Sequence, residues 1–265
     1  MEALAALGSL GDLALLVALS STRIAVAFLL LPVFAPETVP ATVRNAIFIS
    51  FGIVTLAIQP QAAPQAWATQ QWLGLFVKEA TLGVGFGMLL GAVLWAFETA
   101  GQIVDTKVGA TLAQVVDPLS GHQTSLSGAL LGRLATFLFM AGGGFMLFVG
   151  VLQESFAIWP VARTGLVIAP DSVAIFEAAL SRFALLSFLI AAPALLVLYV
   201  VDLALGLVNR FAPQVNLISI SMSLKSVAAI VVWLLLFGVL VDATLERIGE
   251  GVRGLLPQMR RVGGL

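Results

Sequence analysis

Asp105, Lys107, Gln114, Asp117, His122 and Gln123 stand close together in the stretch AGQIVDTKVGATLAQVVDPLSGHQTSLS, between Ala100 and Ser127. Side chains of these types can form ion pairs, cap backbone ends or line a wet conduit. Gly109, Pro118 and Gly121 break the stretch, and apolar runs of helix-spanning size flank it. Irregular backbone at membrane depth is tolerated only where it is buried in protein or lines a water-filled cavity. The stretch is therefore a candidate pore, gate or binding site. Further charges interrupt the apolar runs: Arg23 in mid-run, Lys78 and Glu79 at the start of one, Glu98 and Arg133 at the borders of the interlude, and Arg182, Asp202 and Asp242 at run ends. A charge at the bilayer centre costs about 2.5–3.5 kcal/mol on insertion scales. Those at run ends are expected to snorkel toward the interface. Arg23 has no such exit and is expected to serve function or assembly.

Enzyme chemistry finds little footing. The chain has one His and no Cys, which excludes a two-His metal site, thiolate catalysis and disulfides. A Ser–His–Asp arrangement would have to use His122, and neither GxSxG nor GxxxxGK[ST] is present. Neither catalysis, a cofactor nor a metal is expected. A net charge of −1 leaves no electrostatic footprint for nucleic acid.

The elements that must hold these residues are helices in a membrane. The chain is 60% hydrophobic and only 10% charged, with mean hydropathy +1.07, whereas soluble domains carry about 25% charged residues. Apolar runs at 13–35, 45–59, 73–97, 129–152, 183–201 and 227–243 approach the roughly 20 residues that a spanning helix needs. We expect an all-α integral membrane protein with about six hydrophobic helical segments, some of them broken. No positive charge precedes Arg23, so the first run is expected to belong to the mature protein. Arg247, Arg253, Arg260 and Arg261 follow the last run and place the C-terminus in the cytoplasm by the positive-inside rule.

Two glycine patterns bear on packing. Gly83, Gly87 and Gly91 recur every four residues, a spacing that lets helix backbones approach closely; the same face could line a conduit. Gly142, Gly143 and Gly144 interrupt the fourth run, which predicts a kink, a break or close packing. Phe139, Met140, Phe145 and Met146 flank them as either core or a deformable hydrophobic seal.

Three motifs carry a resemblance: Pro32-Val-Phe followed by Val39-Pro40-Ala-Thr-Val-Arg44; Ala100-Gly101-Gln-Ile-Val-Asp105-Thr-Lys107-Val-Gly109 running to Asp117-Pro118 and Ser-Gly-His-Gln-Thr-Ser; and Asn209-Arg210-Phe-Ala-Pro213-Gln214-Val-Asn216 ending at Ser223-Leu-Lys225-Ser226. In order and spacing, over nearly the whole chain, they resemble the FliR/SctT family of type III export-apparatus membrane proteins. Asp105-Thr-Lys107 and Glu154-Ser-Phe-Ala-Ile-Trp159-Pro160 favour the injectisome branch, the SctT, HrcT and YscT type. Flagellar FliR members often show Asn-Gly-His-His where this chain has Gly142 to Phe145.

The resemblance implies a non-catalytic core subunit of the export gate in the bacterial inner membrane. It implies a helical hetero-oligomer with SctR (FliP)-type and SctS (FliQ)-type subunits, an SctU (FlhB)-type switch protein and an SctV (FlhA)-type export protein, passing secreted protein substrates. Residues 1–200 would be SctR-like and 201–265 an SctS-like hairpin and tail of a single membrane domain. A plug loop would fall on about Gly109 to Gly121, with Gly109, Ala110, Thr111, Leu112, Ala113, Gln114, Val115, Val116, Asp117 and Pro118 as its residues. Asp105, Lys107 or Asp117 would latch it, or merely cap and anchor its ends. Arg210, Pro213, Gln214, Asn216 and Lys225 would bind the switch protein, or form an ordinary amphipathic turn. The competing expectation is a secondary transporter or ion-channel subunit with Arg23, Asp105 and Lys107 in a midplane site; inverted repeats would support it, and none is visible.

Overall fold

The computed structural model describes residues 2–34, 39–58, 69–109, 125–163, 169–170, 172–211 and 217–264. Among them are seven α-helices and one 3-10 turn, and no strand. The helices are α1 (Glu2–Leu29), α2 (Ala41–Ile58), α3 (Thr69–Val108), α4 (Leu126–Ala141), α5 (Gly144–Ile158), α6 (Ser172–Phe211) and α7 (Leu217–Val262); the 3-10 turn is Pro32–Phe34.

Helix ends fall where the backbone chemistry requires. Pro32, which lacks an N–H donor, follows α1. Pro40 precedes α2, and its carbonyl accepts the Arg44 N–H at 3.1 Å. Gly109 closes α3 with φ 95°, a left-handed conformation that suits glycine. Its N–H donates to the Asp105 and Thr106 carbonyls, both at 3.2 Å. Ser125 caps α4, accepting the Gly128 N–H at 2.9 Å. The predicted fourth segment is broken: Gly142 ends α4, and Gly143, at φ 76°, starts α5.

Among the described residues, five helices are long and apolar enough to cross a membrane, or six if the bent α4–α5 pair is one span. The chain is thus an all-α, multi-pass membrane protein, as the six apolar runs predict. At 1.5 Å per residue α6 and α7, of 40 and 46 residues, run about 60 and 69 Å, about twice a hydrocarbon core. In α3, 67% of the most apolar window is buried, against 28% in α6 and 22% in α7. Leu180, Leu189, Leu196 and Val200 on α6 and Leu234 and Leu235 on α7 are exposed. α3 therefore serves as internal scaffold, while α6 and α7 present apolar surface outward.

The chain forms two compact units, each assembled from separated stretches. The first contains Met1–Gly91, Gly143–Ala179 and Gly249–Leu265. Its core is aromatic: Phe28 is fully buried, with ring centroids 5.4 Å from Phe34, 6.0 Å from Phe48 and 5.1 Å from Phe148. Such pairs contribute about 0.5–1.5 kcal/mol beyond area burial. α3 closes tightly on α1. A Cβ on Gly83 would lie 2.7 Å from the Arg23 carbonyl oxygen, and one on Gly87 would lie 2.8 Å from that of Ala27. Gly91 is buried one turn further on.

The second unit contains Ala92–Gly142 and Leu180–Ile248. Phe97, Ala100, Val104, Ala135, Phe139 and Leu198 are buried there. α3 and α4 meet backbone to backbone at Gly101, where a Cβ would collide with Ser127 and Gly128.

Candidate functional site

In the second unit, the interlude leaves α3 and returns at α4 through a hydrogen-bonded neck. Asp105 Oδ2 accepts from Ser125 Oγ at 2.7 Å and from the Ser127 backbone N–H at 2.8 Å. One carboxylate near the C-terminus of α3 thus satisfies a free N–H in the first turn of α4 and holds the hydroxyl that caps it. An anion at a helix N-terminus also meets the positive end of the dipole. Sequence reading could find Ser125 as a cap; that Asp105 supports it follows only from the close approach that Gly101 permits.

The next charge points elsewhere. Lys107 Nζ lies 2.7 Å from Asp202 Oδ2 on α6 and 4.1 Å from the centroid of the Tyr199 ring, a cation–π distance. Lys225 on α7 pairs with Asp202 Oδ1. A single carboxylate therefore ties the end of α3 to both helices of the α6–α7 hairpin. Asp202 is the centre of a three-helix ion cluster. These side chains remain partly exposed, at 28%, 31% and 13% for Lys107, Asp202 and Lys225, so screening limits what each pair contributes.

The other predicted residues are distributed as follows. Gly109 ends α3, while Ala110, Thr111, Leu112, Ala113, Gln114, Val115, Val116, Asp117 and Pro118 lie outside the described residues, as do Pro213, Gln214 and Asn216. Arg210 is exposed near the end of α6. Phe139 is buried in the second unit. Phe145 belongs to the first unit's aromatic cluster, 5.4 Å from Phe28 and 6.4 Å from Phe51. Met140 and Met146 are exposed.

The first unit holds a charge cluster that sequence reading only half anticipated. Arg23, fully buried, donates from Nε to Glu79 Oε2 at 2.7 Å, from Nη1 to Ser155 Oγ at 2.8 Å and from Nη2 to the Trp159 carbonyl at 2.8 Å. Its guanidinium lies 3.8 Å from the centroid of the Phe156 ring. Lys78 and Glu79 do not snorkel: α3 begins at Thr69, so both sit more than two turns inside it and are 5% and 0% exposed. Lys78 Nζ lies 2.8 Å from Glu79 Oε1. It directs its three N–H bonds at the carbonyls of Pro160, Val161 and Arg163. The contact with Oε1 is accordingly ionic rather than a hydrogen bond.

Among the described residues the arrangement is a set of clamps on helix ends. Arg23, Asp105 and Lys107 each engage different partners. A family model described as bacterial export proteins, family 1, matches residues 14–251. The chain belongs to this family. As a family 1 export protein, it is 30% identical over 240 residues to the surface presentation of antigens protein SpaR of Salmonella typhimurium, covering 90% of this chain and 89% of that one. It is 31% identical over 211 residues to the Yop proteins translocation protein T of Yersinia pestis, covering 78% and 80%. The flagellar biosynthetic protein FliR of Bacillus subtilis is 26% identical over 204 residues, covering 77% and 78%. The higher identity to the first two places this export protein on the injectisome side of the family, as its Asp105-Thr-Lys107 motif predicts.

Proposed function

We propose that the chain is a core subunit of a type III secretion export gate in the bacterial inner membrane. It forms and plugs the channel through which unfolded protein substrates pass. It assembles with SctR (FliP)-type and SctS (FliQ)-type subunits in a helical hetero-oligomer, contacts an SctU (FlhB)-type switch protein through the 209–225 hairpin, and delivers substrates handed on by an SctV (FlhA)-type protein. The single observation that carries this reading is the neck at Asp105 and Ser125. A segment rich in small residues leaves and re-enters a rigid helix pair at one point, as a displaceable plug requires. Asp105 and Lys107 then act as anchors at the base of the plug, because their charges are engaged by Ser125 and Asp202. The broad exposed apolar faces of α6 and α7 fit an assembly surface shared with partner helices.

The test is deletion of Val108 to Val116, read as ion leak through a gate reconstituted with the SctR- and SctS-type subunits. The deletion should open the resting gate. An unchanged closed state would sink the plug, and a closed gate formed by this chain alone would sink the shared assembly.

A further inference from the structure

We infer that the segment following α5 is built as a monovalent-cation site whose occupant is the ammonium of Lys78. Residues Pro160, Val161 and Arg163 turn their carbonyl oxygens toward α3, at 2.8, 3.1 and 3.0 Å from Lys78 Nζ. Glu79 Oε1 supplies a fourth oxygen at 2.8 Å. Val161 is fully buried, so its carbonyl has no access to bulk water, and a buried carbonyl without a partner is costly. Pro160 has no N–H to continue the helix, and of the three carbonyls that of Pro160 also accepts the Arg163 N–H, at 3.2 Å.

The spacing selects the ion. Four oxygens at 2.8–3.1 Å are too distant for Mg²⁺, which takes about 2.0–2.1 Å, or Ca²⁺, at about 2.3–2.6 Å. They suit an ammonium or an ion of potassium size, for which carbonyl oxygens replace the hydration shell. The local charge agrees. Arg23 and Lys78 bring two positive charges to one carboxylate, and the surplus faces the carbonyl-rich, negative end of α5. The same segment carries Trp159, against whose ring Gly263 packs so closely that a Cβ would lie 2.7 Å from Cζ2. The tethered ion thereby also sets where the end of the chain seats within the first unit. None of this depends on the gate reading.

The prediction is that Lys78→Ala, which removes the tethered ammonium and leaves the oxygens, creates a site for free NH₄⁺ or K⁺. Lys78→Met fills the same space with an uncharged stem. Thermal unfolding of full-length protein would be compared in chlorides of ammonium, potassium, lithium and choline at equal ionic strength. Lys78→Ala should gain about 3–5 °C, saturably, in ammonium and potassium, while the unsubstituted chain and Lys78→Met stay level. Equal curves for Lys78→Ala in all four salts, or an equal response from Lys78→Met, would overturn the site. Should neither variant fold, ¹⁵N-lysine spectra of the unsubstituted chain decide. Lys78, Lys107 and Lys225 are its lysines, and Lys78 should give a slowly exchanging ammonium resonance; a neutral amine signature there overturns the inference.

Discussion

Replacing Glu79 by Gln removes the carboxylate that Arg23 and Lys78 share while keeping the shape of the side chain. Both cations stay buried, at 0% and 5% exposure, and neither keeps its counter-charge. Removing one partner of a buried pair costs about 3–5 kcal/mol. Gln retains an oxygen able to accept from Arg23 Nε, and Arg23 retains Ser155 and Trp159, so the lower end, about 3 kcal/mol, applies. At about 2–4 °C per kcal/mol for a chain of this size, the apparent melting point should fall by about 6–12 °C. Thermal unfolding of the purified protein reads this directly. The decisive comparison adds Arg23→Met. If the loss comes from uncompensated charge, the double variant should be less destabilised than the sum of the two single changes, because removing both members of a pair is often close to neutral. Strict additivity, or a Glu79→Gln melting point within about 2 °C of the unsubstituted chain, would refute the argument.

Gly87→Ala should force α3 away from the Ala27 carbonyl, which a Cβ would approach to 2.8 Å, and cost about 1–3 kcal/mol. Gly74→Ala on the same helix, with nothing within 4 Å, should be neutral or slightly stabilising; equal melting points for the two would contradict the close α1–α3 approach. Asp202→Asn should release Lys107 and Lys225 and raise ion leak through the reconstituted gate. Partly exposed pairs contribute about 0.2–1 kcal/mol each, so the loss of both caps the change at about thirtyfold. Asp202→Glu should leak less than Asp202→Asn, and a ranking in the other order would separate the ion cluster from closure.

The helices were legible because apolar runs, prolines and glycines are local signals. Pro32, Pro40, Gly109 and the Gly142–Gly143 pair mark ends that need no tertiary information. Partners of the charges were not legible. Arg23 and Glu79 are 56 positions apart, and Arg23 and Ser155 are 132 apart; hydropathy locates such residues without saying which of them meet. Lys78 and Glu79 were misplaced for a related reason. The apolar run near 73 suggested a helix start, but polar Thr69, Gln70 and Gln71 belong to the same helix, which moves the charges inward. Asp105 reads as a latch or anchor candidate, but its partners Ser125 and Ser127 emerge only where the missing Cβ of Gly101 lets α4 come against it.

The distance between Arg23 and Glu79 also has a meaning in time. Synthesis proceeds at about 5–20 residues per second, so the 56 positions between them correspond to about 3–11 seconds in which α1 exists and its counter-charge does not. Over that interval the first helix carries an unpaired guanidinium, at about 2.5–3.5 kcal/mol against residence in lipid. Its insertion should therefore be reversible until α3 emerges, and only then become committed. Ribosome-bound chains ending before Glu79 should leave α1 accessible to aqueous labelling, and chains extended beyond α3 should not.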